Sequence, residues 1–125
     1  MRDYGPIDAL SEILVDIPDL VFTYASDGRY LFINASAARF LGADPMDVIG
    51  RHWRDLGYPD DVMDPLQSQV QDVARTGESR YYRLTTSEAR GARTLDLSLT
   101  PLRSDDGTVF AVLAIAHDIS EFFSD

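Results

Sequence analysis

The chain has 125 residues, a length typical of a single domain, and 45% of them are hydrophobic, enough for one core. It contains no cysteine, so disulfides, thiolate metal sites and cysteine nucleophiles are excluded. The lack of cysteine is compatible with the reducing cytoplasm, and we expect the protein to be cytoplasmic. The net charge of −10 repels phosphate backbones and anionic lipids, so neither nucleic acid nor membrane is expected as a partner of this domain.

The first predicted elements are an amphipathic helix and a β-hairpin. Asp8 can cap the helix and Pro18 ends it; its apolar stripe, spaced i, i+3, i+4, i+7, consists of Leu10, Ile13, Leu14 and Ile17. Aromatic and β-branched runs follow at residues 20–25 and 30–34, and Asp27-Gly28 lies between them. Because Asp-Gly between such runs is a strong hairpin signal, we predict two antiparallel strands.

Helical patterns occupy the middle of the chain. Asn34 can cap a short helix that ends at Gly42, and Asp44-Pro45 begins a second brief helix that ends at Gly50. Each boundary rests on a residue whose side chain or backbone suits a helix terminus. We therefore predict two short helices directly after the hairpin.

The longest helical pattern runs over residues 60–76. We predict Pro65 in the first turn of its main section, with Asp64 as the cap and Gly77 as the terminator. Three strands are then predicted, at 79–86, 93–103 and 109–118. Consecutive hairpins favour an antiparallel sheet, and the intervening helices must pack on one of its faces, so the predicted fold class is α+β.

The last predicted strand is apolar on both faces. Val109, Ala111, Leu113 and Ile115 form one face, while the residues between them form the other. A strand of this kind is covered on both sides. The helices cover one side, and the N-terminal helix, a second subunit, or both must cover the other, so we expect a homodimer.

Six short motifs occur in order along the chain. They are Pro18-Asp19, Asp27-Gly28, Asn34, Phe40-Leu41-Gly42, Ile49-Gly50 and Asp118-Ile119-Ser120. Together they resemble the motifs of the PAS family of sensory domains, and the resemblance extends over roughly residues 8–120. It implies a five-stranded antiparallel sheet with helices on one face and a pocket between them. The resemblance implies three parts along the chain. Residues 1–17 are a flanking segment with a helix, residues 18–120 are the PAS-like sensory domain, and residues 121–125 are the start of an output linker.

The resemblance implies an input module for a C-terminal output domain such as a histidine kinase or a cyclic-dinucleotide enzyme. Asp118, Ile119 and Ser120 stand where the family's last strand passes into the output helix, and Ser120 keeps the hydroxyl of the family's threonine. The Asp118 carboxylate can accept hydrogen bonds from the first N–H groups of a helix starting at Ile119. The alternative is that Asp118 only pairs with a nearby arginine.

The family's cofactors can be tested against this sequence. Flavin adducts and thioester-linked chromophores both need a cysteine, so they are excluded, and haem is disfavoured because residues 60–76 contain no histidine. Motifs of phosphate-binding, metal-dependent and serine-nucleophile enzymes are absent from the sequence, so we do not expect this domain to be an enzyme.

The predicted pocket residues are aromatic and aliphatic side chains, with one amide, that could face a small ligand: Phe22, Tyr24, Phe32, Asn34, Phe40, Trp53, Val70, Tyr82, Leu84, Leu97, Leu99, Leu113 and Ile115. Core packing explains most of these side chains equally well, and Trp53 is more typical of a core residue. The alternative function is therefore a ligand-free dimerisation or protein-interaction domain with a filled core.

Overall fold

The computed structural model describes residues 19–86 and 93–120 of the chain. Five strands in these ranges form one antiparallel sheet in the order β2-β1-β5-β4-β3. The strands are β1 Leu20–Tyr24, β2 Tyr30–Ile33, β3 Arg80–Thr86, β4 Arg93–Arg103 and β5 Val109–Asp118. Three helices connect β2 to β3: α1 Ala35–Leu41, α2 Pro45–Val48 and α3 Asp60–Thr76. The predicted α+β fold with a five-stranded antiparallel sheet is confirmed.

Two predicted segments lie outside the described residues. One is the N-terminal helix of residues 8–17, with its stripe of Leu10, Ile13, Leu14 and Ile17, and the other is the linker of residues 121–125. Within the two described ranges, no helix has the length and apolar character needed to span a membrane.

The β1–β2 turn packs against α3 through a glycine. Gly28 has a φ of +97°, a conformation that L side chains rarely adopt. A Cβ atom at this position would lie 2.7 Å from Nε2 of His52 and 2.9 Å from Oε1 of Gln67. The Asp-Gly turn that predicted the hairpin therefore also contacts the long helix.

The helix α3 is one continuous element, so the prediction of an Asp64 cap is wrong. The N–H of Met63 donates to the carbonyl of Pro59 at 3.0 Å and so closes the first turn. Pro59, directly before Asp60, is therefore the N-cap residue of the helix. Pro65 lies inside the helix, where its missing N–H costs a single backbone hydrogen bond near the start. The Asp64 carboxylate instead lies 3.4 Å from the guanidinium of Arg54 on the surface.

The core lies between one face of the sheet and the helices. Phe22 pairs with Ala114 and Ala114 with Leu99, so side chains of three adjacent strands point to the same side. Val70 and Val73 of α3 pack onto this layer and are fully buried. On the opposite face, Val21 and Ala111 are buried and Leu113 and Ile115 are half-buried, so β5 is apolar on both faces, as its sequence indicates.

Candidate ligand-binding cavity

A cavity of about 120 Å³ lies between the sheet and the helices. Five of the residues predicted for the pocket line it: Phe22, Tyr24, Phe40, Leu84 and Leu97. The other lining residues are Tyr30, Leu41, Tyr58, Pro59, Val62, Met63, Leu66, Thr86, Leu95 and Ala116. The walls are therefore aromatic and aliphatic, with hydroxyls as their polar side-chain groups, and no charged side chain is among the residues that line this cavity.

Three tyrosines form one wall of the cavity. The rings of Tyr24 and Tyr30 have centroids 4.9 Å apart, and the ring of Tyr58 meets that of Tyr30 edge-on at 6.3 Å. The phenols of Tyr24 and Tyr30 are neighbours, and both side chains are buried. Burial raises the pKa of both phenols far above the usual value, and burial also raises the pKa of Tyr58, so all three side chains are neutral at physiological pH.

Thr86 supplies a fourth hydroxyl at the cavity. The residue is buried at the end of β3, and its Oγ1 accepts a hydrogen bond of 3.3 Å from the backbone N–H of Arg93. This bond uses the oxygen as an acceptor and leaves the hydroxyl proton for another partner. The polar groups at the cavity are thus neutral donors and acceptors.

Three of the predicted pocket residues lie on the far side of the sheet. Phe32 and Leu113 both pair with Thr23 of β1, and Ile115 pairs with Val21. Since side chains alternate between the faces of a strand, these residues point away from the cavity side, to which Phe22 and Tyr24 point. The assignment of Phe32, Leu113 and Ile115 to the pocket is therefore corrected.

Trp53 and Val70 lie next to the cavity but do not line it. They bound a separate void of only about 10 Å³, which is too small for a ligand. The Trp53 side chain is buried, and its Nε1 donates to Oε1 of Gln67 at 2.5 Å. Leu99 is fully buried in the core. Tyr82 is half-buried against the core and lines a separate surface pocket on β3 and β4 instead of this cavity.

Asn34 is buried and joins the start of β1 to α1. Its Oδ1 accepts hydrogen bonds from the backbone N–H groups of Val21 at 3.2 Å and Ala37 at 2.9 Å. Its Nδ2 donates to the carbonyl oxygen of Asp19 at 2.9 Å. Asn34 is absent from the cavity walls, so its position in the structure assigns it to the scaffold rather than to the pocket.

Tyr30 and Tyr58 line the cavity but were not among the residues predicted for it. Tyr30 is the first residue of β2, and a shift of register between Thr23 and Tyr24 brings it opposite Tyr24. Strict alternation along β2 would place Tyr30 on the same face as Phe32, whereas the register shift places the two residues on opposite faces. Tyr58 lies in a loop before α3, where no periodicity indicates direction.

The end of β5 is held by side chains as well as by the sheet. Asp118 Oδ1 accepts hydrogen bonds from the backbone N–H of Ser120 at 2.9 Å and from its hydroxyl at 2.5 Å. Asp118 Oδ2 lies 3.5 Å from the Arg93 guanidinium. The N–H of Ile119 donates to the carbonyl of Thr94, and the N–H of Thr94 donates to Ser120 Oγ, both at 2.9 Å. Asp118 therefore both accepts from the chain that follows it and pairs with an arginine.

The two histidines occupy different settings. His117 Nδ1 lies 2.7 Å from Oδ1 of Asp19, and this hydrogen bond and the charge of Asp19 raise the pKa of the imidazole. His52 Nδ1 accepts a hydrogen bond of 3.0 Å from the backbone N–H of Arg54, which fixes a turn. No cluster of three potential metal-ligating His, Cys, Asp or Glu side chains occurs in residues 19–86 and 93–120.

Comparisons with known proteins agree with this architecture. A family model described as the PAS fold matches residues 14–122. The VqmA dimer of Vibrio cholerae superimposes with a TM-score of 0.77 at 17% identity, covering 95% of this chain and 53% of that one. The PAS domain of BvgS from Bordetella pertussis gives a TM-score of 0.78 at 15% identity, covering 94% and 90%.

A third similar structure is the PAS domain of an HTR-like protein from Haloarcula marismortui. Its TM-score is 0.63 at 20% identity, with coverage of 90% of this chain and 91% of that one. This chain spans about half the length of the VqmA chain that it matches. No curated protein sequence matches it.

Proposed function

The chain belongs to the PAS family, and from this premise we propose that it is a sensory input module that binds a small ligand and signals to a C-terminal output domain. The observation that carries the proposal is the cavity of about 120 Å³ between the sheet and the helices. A domain that served only to pair subunits would gain stability by filling this space, because empty apolar volume is destabilising.

The route from the cavity to the chain exit is short. Ala116 of β5 lines the cavity and pairs with Leu97 of β4, which also lines it. Two residues after Ala116, Asp118 binds Ser120, and Ser120 is bonded to β4 through Thr94. A ligand that changes the spacing of β4 and β5 at the cavity would therefore alter the hydrogen bonds that direct the chain into its output segment.

The similar proteins indicate what kinds of output accompany this fold. One is the PAS domain of a histidine kinase, ThkA, and another is VqmA, which is described as a dimer that has a target DNA and, in a second structure, as bound to DPO. We propose a histidine kinase or a cyclic-dinucleotide enzyme as the output, a cytoplasmic location and a homodimer. The net charge of −10 supports assigning any contact with DNA to a part of the protein other than this domain.

The proposal is tested by releasing any bound molecule from the freshly purified, denatured domain and identifying it by mass spectrometry. Ala116→Leu places three extra carbons at the cavity wall, and Leu84→Phe enlarges a second wall residue in case the first variant does not fold. The matched control is Leu31→Phe on the surface of β2, where the native side chain is 43% exposed.

We expect the wild type and the Leu31→Phe control to release the same molecule and to show a thermal shift when it is added back. The cavity variants should retain the circular dichroism spectrum of the wild type and lose both signals. If the wild type releases nothing and no fraction of a metabolite extract shifts its unfolding temperature, the alternative of a ligand-free dimerisation domain is favoured.

A further inference from the structure

The contact between β1 and β5 passes from backbone to side chains where β5 ends. The final backbone pair of these two strands is Leu20 with Ala116. One residue further along, Asp19 and His117 lie opposite each other, and Oδ1 of Asp19 is 2.7 Å from Nδ1 of His117. This side-chain pair therefore extends the β1–β5 contact by one position, towards the exit segment (residues 118–120).

The exit segment is also attached to β4, by groups that do not titrate near neutral pH. The N–H of Ile119 donates to the carbonyl of Thr94, and the N–H of Thr94 donates to Oγ of Ser120, both at 2.9 Å. Backbone amides and a serine hydroxyl keep their protons throughout the physiological range. The attachment to β4 is therefore independent of pH, whereas the contact with β1 includes an imidazole, which titrates in this range.

His117 belongs to a row of charged side chains on the face of the sheet opposite the cavity. Asp96 of β4 lies directly across from His117, and Arg83 of β3 lies directly across from Asp96. The Arg83 guanidinium is 2.7 and 3.2 Å from the two carboxylate oxygens of Asp96, and these hydrogen bonds lower the pKa of that carboxyl. When the imidazole is protonated, the charges alternate in sign from Asp19 to Arg83, an arrangement that stabilises cross-strand pairs.

The surroundings of His117 favour the protonated imidazole. A third carboxylate near it belongs to Asp118, whose Oδ2 lies 3.5 Å from the guanidinium of Arg93. The hydrogen bond to Asp19 and its charge raise the pKa of the imidazole above the usual value, and the other two carboxylates add to this effect. The side chain of His117 is 63% exposed, so it exchanges protons directly with the solvent.

We propose that His117 is a proton-operated latch, which fastens the end of β5 to the start of β1 when the imidazole is protonated. The protonated ring makes a charge-assisted contact with Asp19. Loss of the proton weakens this contact and leaves the attachment to Thr94. The latch is closed at acidic pH and opens as the pH rises through the pKa of His117, which lies above 6.5. Its use in signalling rests on the proposed function, in which the exit segment leads to the output.

Nuclear magnetic resonance of the 125-residue chain measures both the titration and the latch. The sequence has two histidines, and His52→Gln identifies the imidazole signal of His117. The hydrogen-exchange protection factor of the Ile119 amide, which corrects for the intrinsic pH dependence of exchange, reports how firmly the exit segment is held. We expect this factor to fall roughly two- to fivefold as the pH rises through the midpoint of His117, the range expected for an exposed ion pair.

Two variants separate the latch from a general effect of pH. Asp19→Asn keeps the size of the side chain and removes its charge, so the midpoint of His117 and the fall in Ile119 protection should both move to lower pH. In His117→Gln the protection factor should not change over this range. The matched control, Asp105→Asn, removes the same charge from the exposed β4–β5 turn and should leave both measurements as in the wild type.

Three outcomes would overturn the latch. The first is an Ile119 protection factor that is the same above and below the midpoint of His117. The second is a fall in protection that persists in His117→Gln, and the third is a His117 midpoint that Asp19→Asn leaves unchanged. The ligand proposal is tested separately by the molecule released from the purified domain. If no molecule is released and the protection factor still follows His117, the ligand proposal fails and the latch stands.

Discussion

Replacing Asn34 with alanine is expected to destabilise the domain more than removing any other helix cap described here. The Asn34 side chain is fully buried and, among the described residues, bonds to three backbone groups, which lie at the start of β1 and in the first turn of α1. Alanine can replace none of these bonds. Because the site is closed to solvent, water is not available to take over the partners without rearrangement.

The expected cost follows from the three partners. Loss of the cap on Ala37 accounts for about 1 kcal/mol, within the usual range for helix caps. The N–H of Val21 would be left buried without its side-chain acceptor, which adds about 1–3 kcal/mol. The carbonyl of Asp19 lies nearer the surface and contributes less. The total is about 2–4 kcal/mol, a large part of the roughly 5–15 kcal/mol that stabilises a typical domain.

Urea denaturation followed by tryptophan fluorescence measures this cost. A loss of that size lowers the midpoint by roughly 1–2 M at a typical denaturant dependence for a small domain. The matched control is Asp44→Ala, since the Asp44 carboxylate caps α2 by accepting only the exposed N–H of Met46. The control should cost about 0.5–1 kcal/mol. Equal losses in the two variants would refute the reasoning, because burial of the partners would then make no difference.

Three further predictions concern the ends of the sheet and the first turn. Below pH 6.5, the ordinary pKa of histidine, His117→Gln should be less stable than the wild type, because Asp19 raises the pKa of the folded imidazole. The difference in stability should vanish as the pH rises through the raised pKa. Urea denaturation at several pH values measures it, and a difference that does not change with pH contradicts the prediction. Asp118→Ala should lower the unfolding free energy of the isolated domain by about 0.5–2 kcal/mol in the same assay, because a hydrogen bond to the backbone of Ser120 is lost. In the full-length protein this variant should uncouple ligand binding from output. Normal regulation of the variant would count against the proposed signal route. Gly28→Ala should cost about 1–3 kcal/mol because of its positive φ and the contact with Gln67, and an unchanged unfolding midpoint would show that the turn relaxes freely.

Elements with local signals were predicted closely from the sequence. The structure has β4 at Arg93–Arg103 and β5 at Val109–Asp118, the bounds predicted from the sequence, in which Asp106-Gly107 lies between the two apolar runs. Asn34 and Gly42 bound α1 as expected, since a side-chain acceptor and a positive φ are properties of single residues. The helix α3, Asp60–Thr76, has the predicted bounds, but the separate start predicted at Asp64-Pro65 was wrong because both Pro59 and Asp64-Pro65 are compatible with a first turn.

The sequence alone determined that this chain forms an antiparallel sheet with helices on one side, because turns, caps and alternation act over a few residues. It did not determine which side chains meet at the cavity. A strand that is apolar on both faces, such as β5, carries no local information about which face the helices cover, and Leu113 and Ile115 were therefore placed on the wrong side. The pairing of Tyr24 with Tyr30 depends on a register shift in β1, and Tyr58 reaches the same wall from a loop. Such contacts are decided by the packing of the helices on the sheet, since they join residues whose relative positions no short segment specifies.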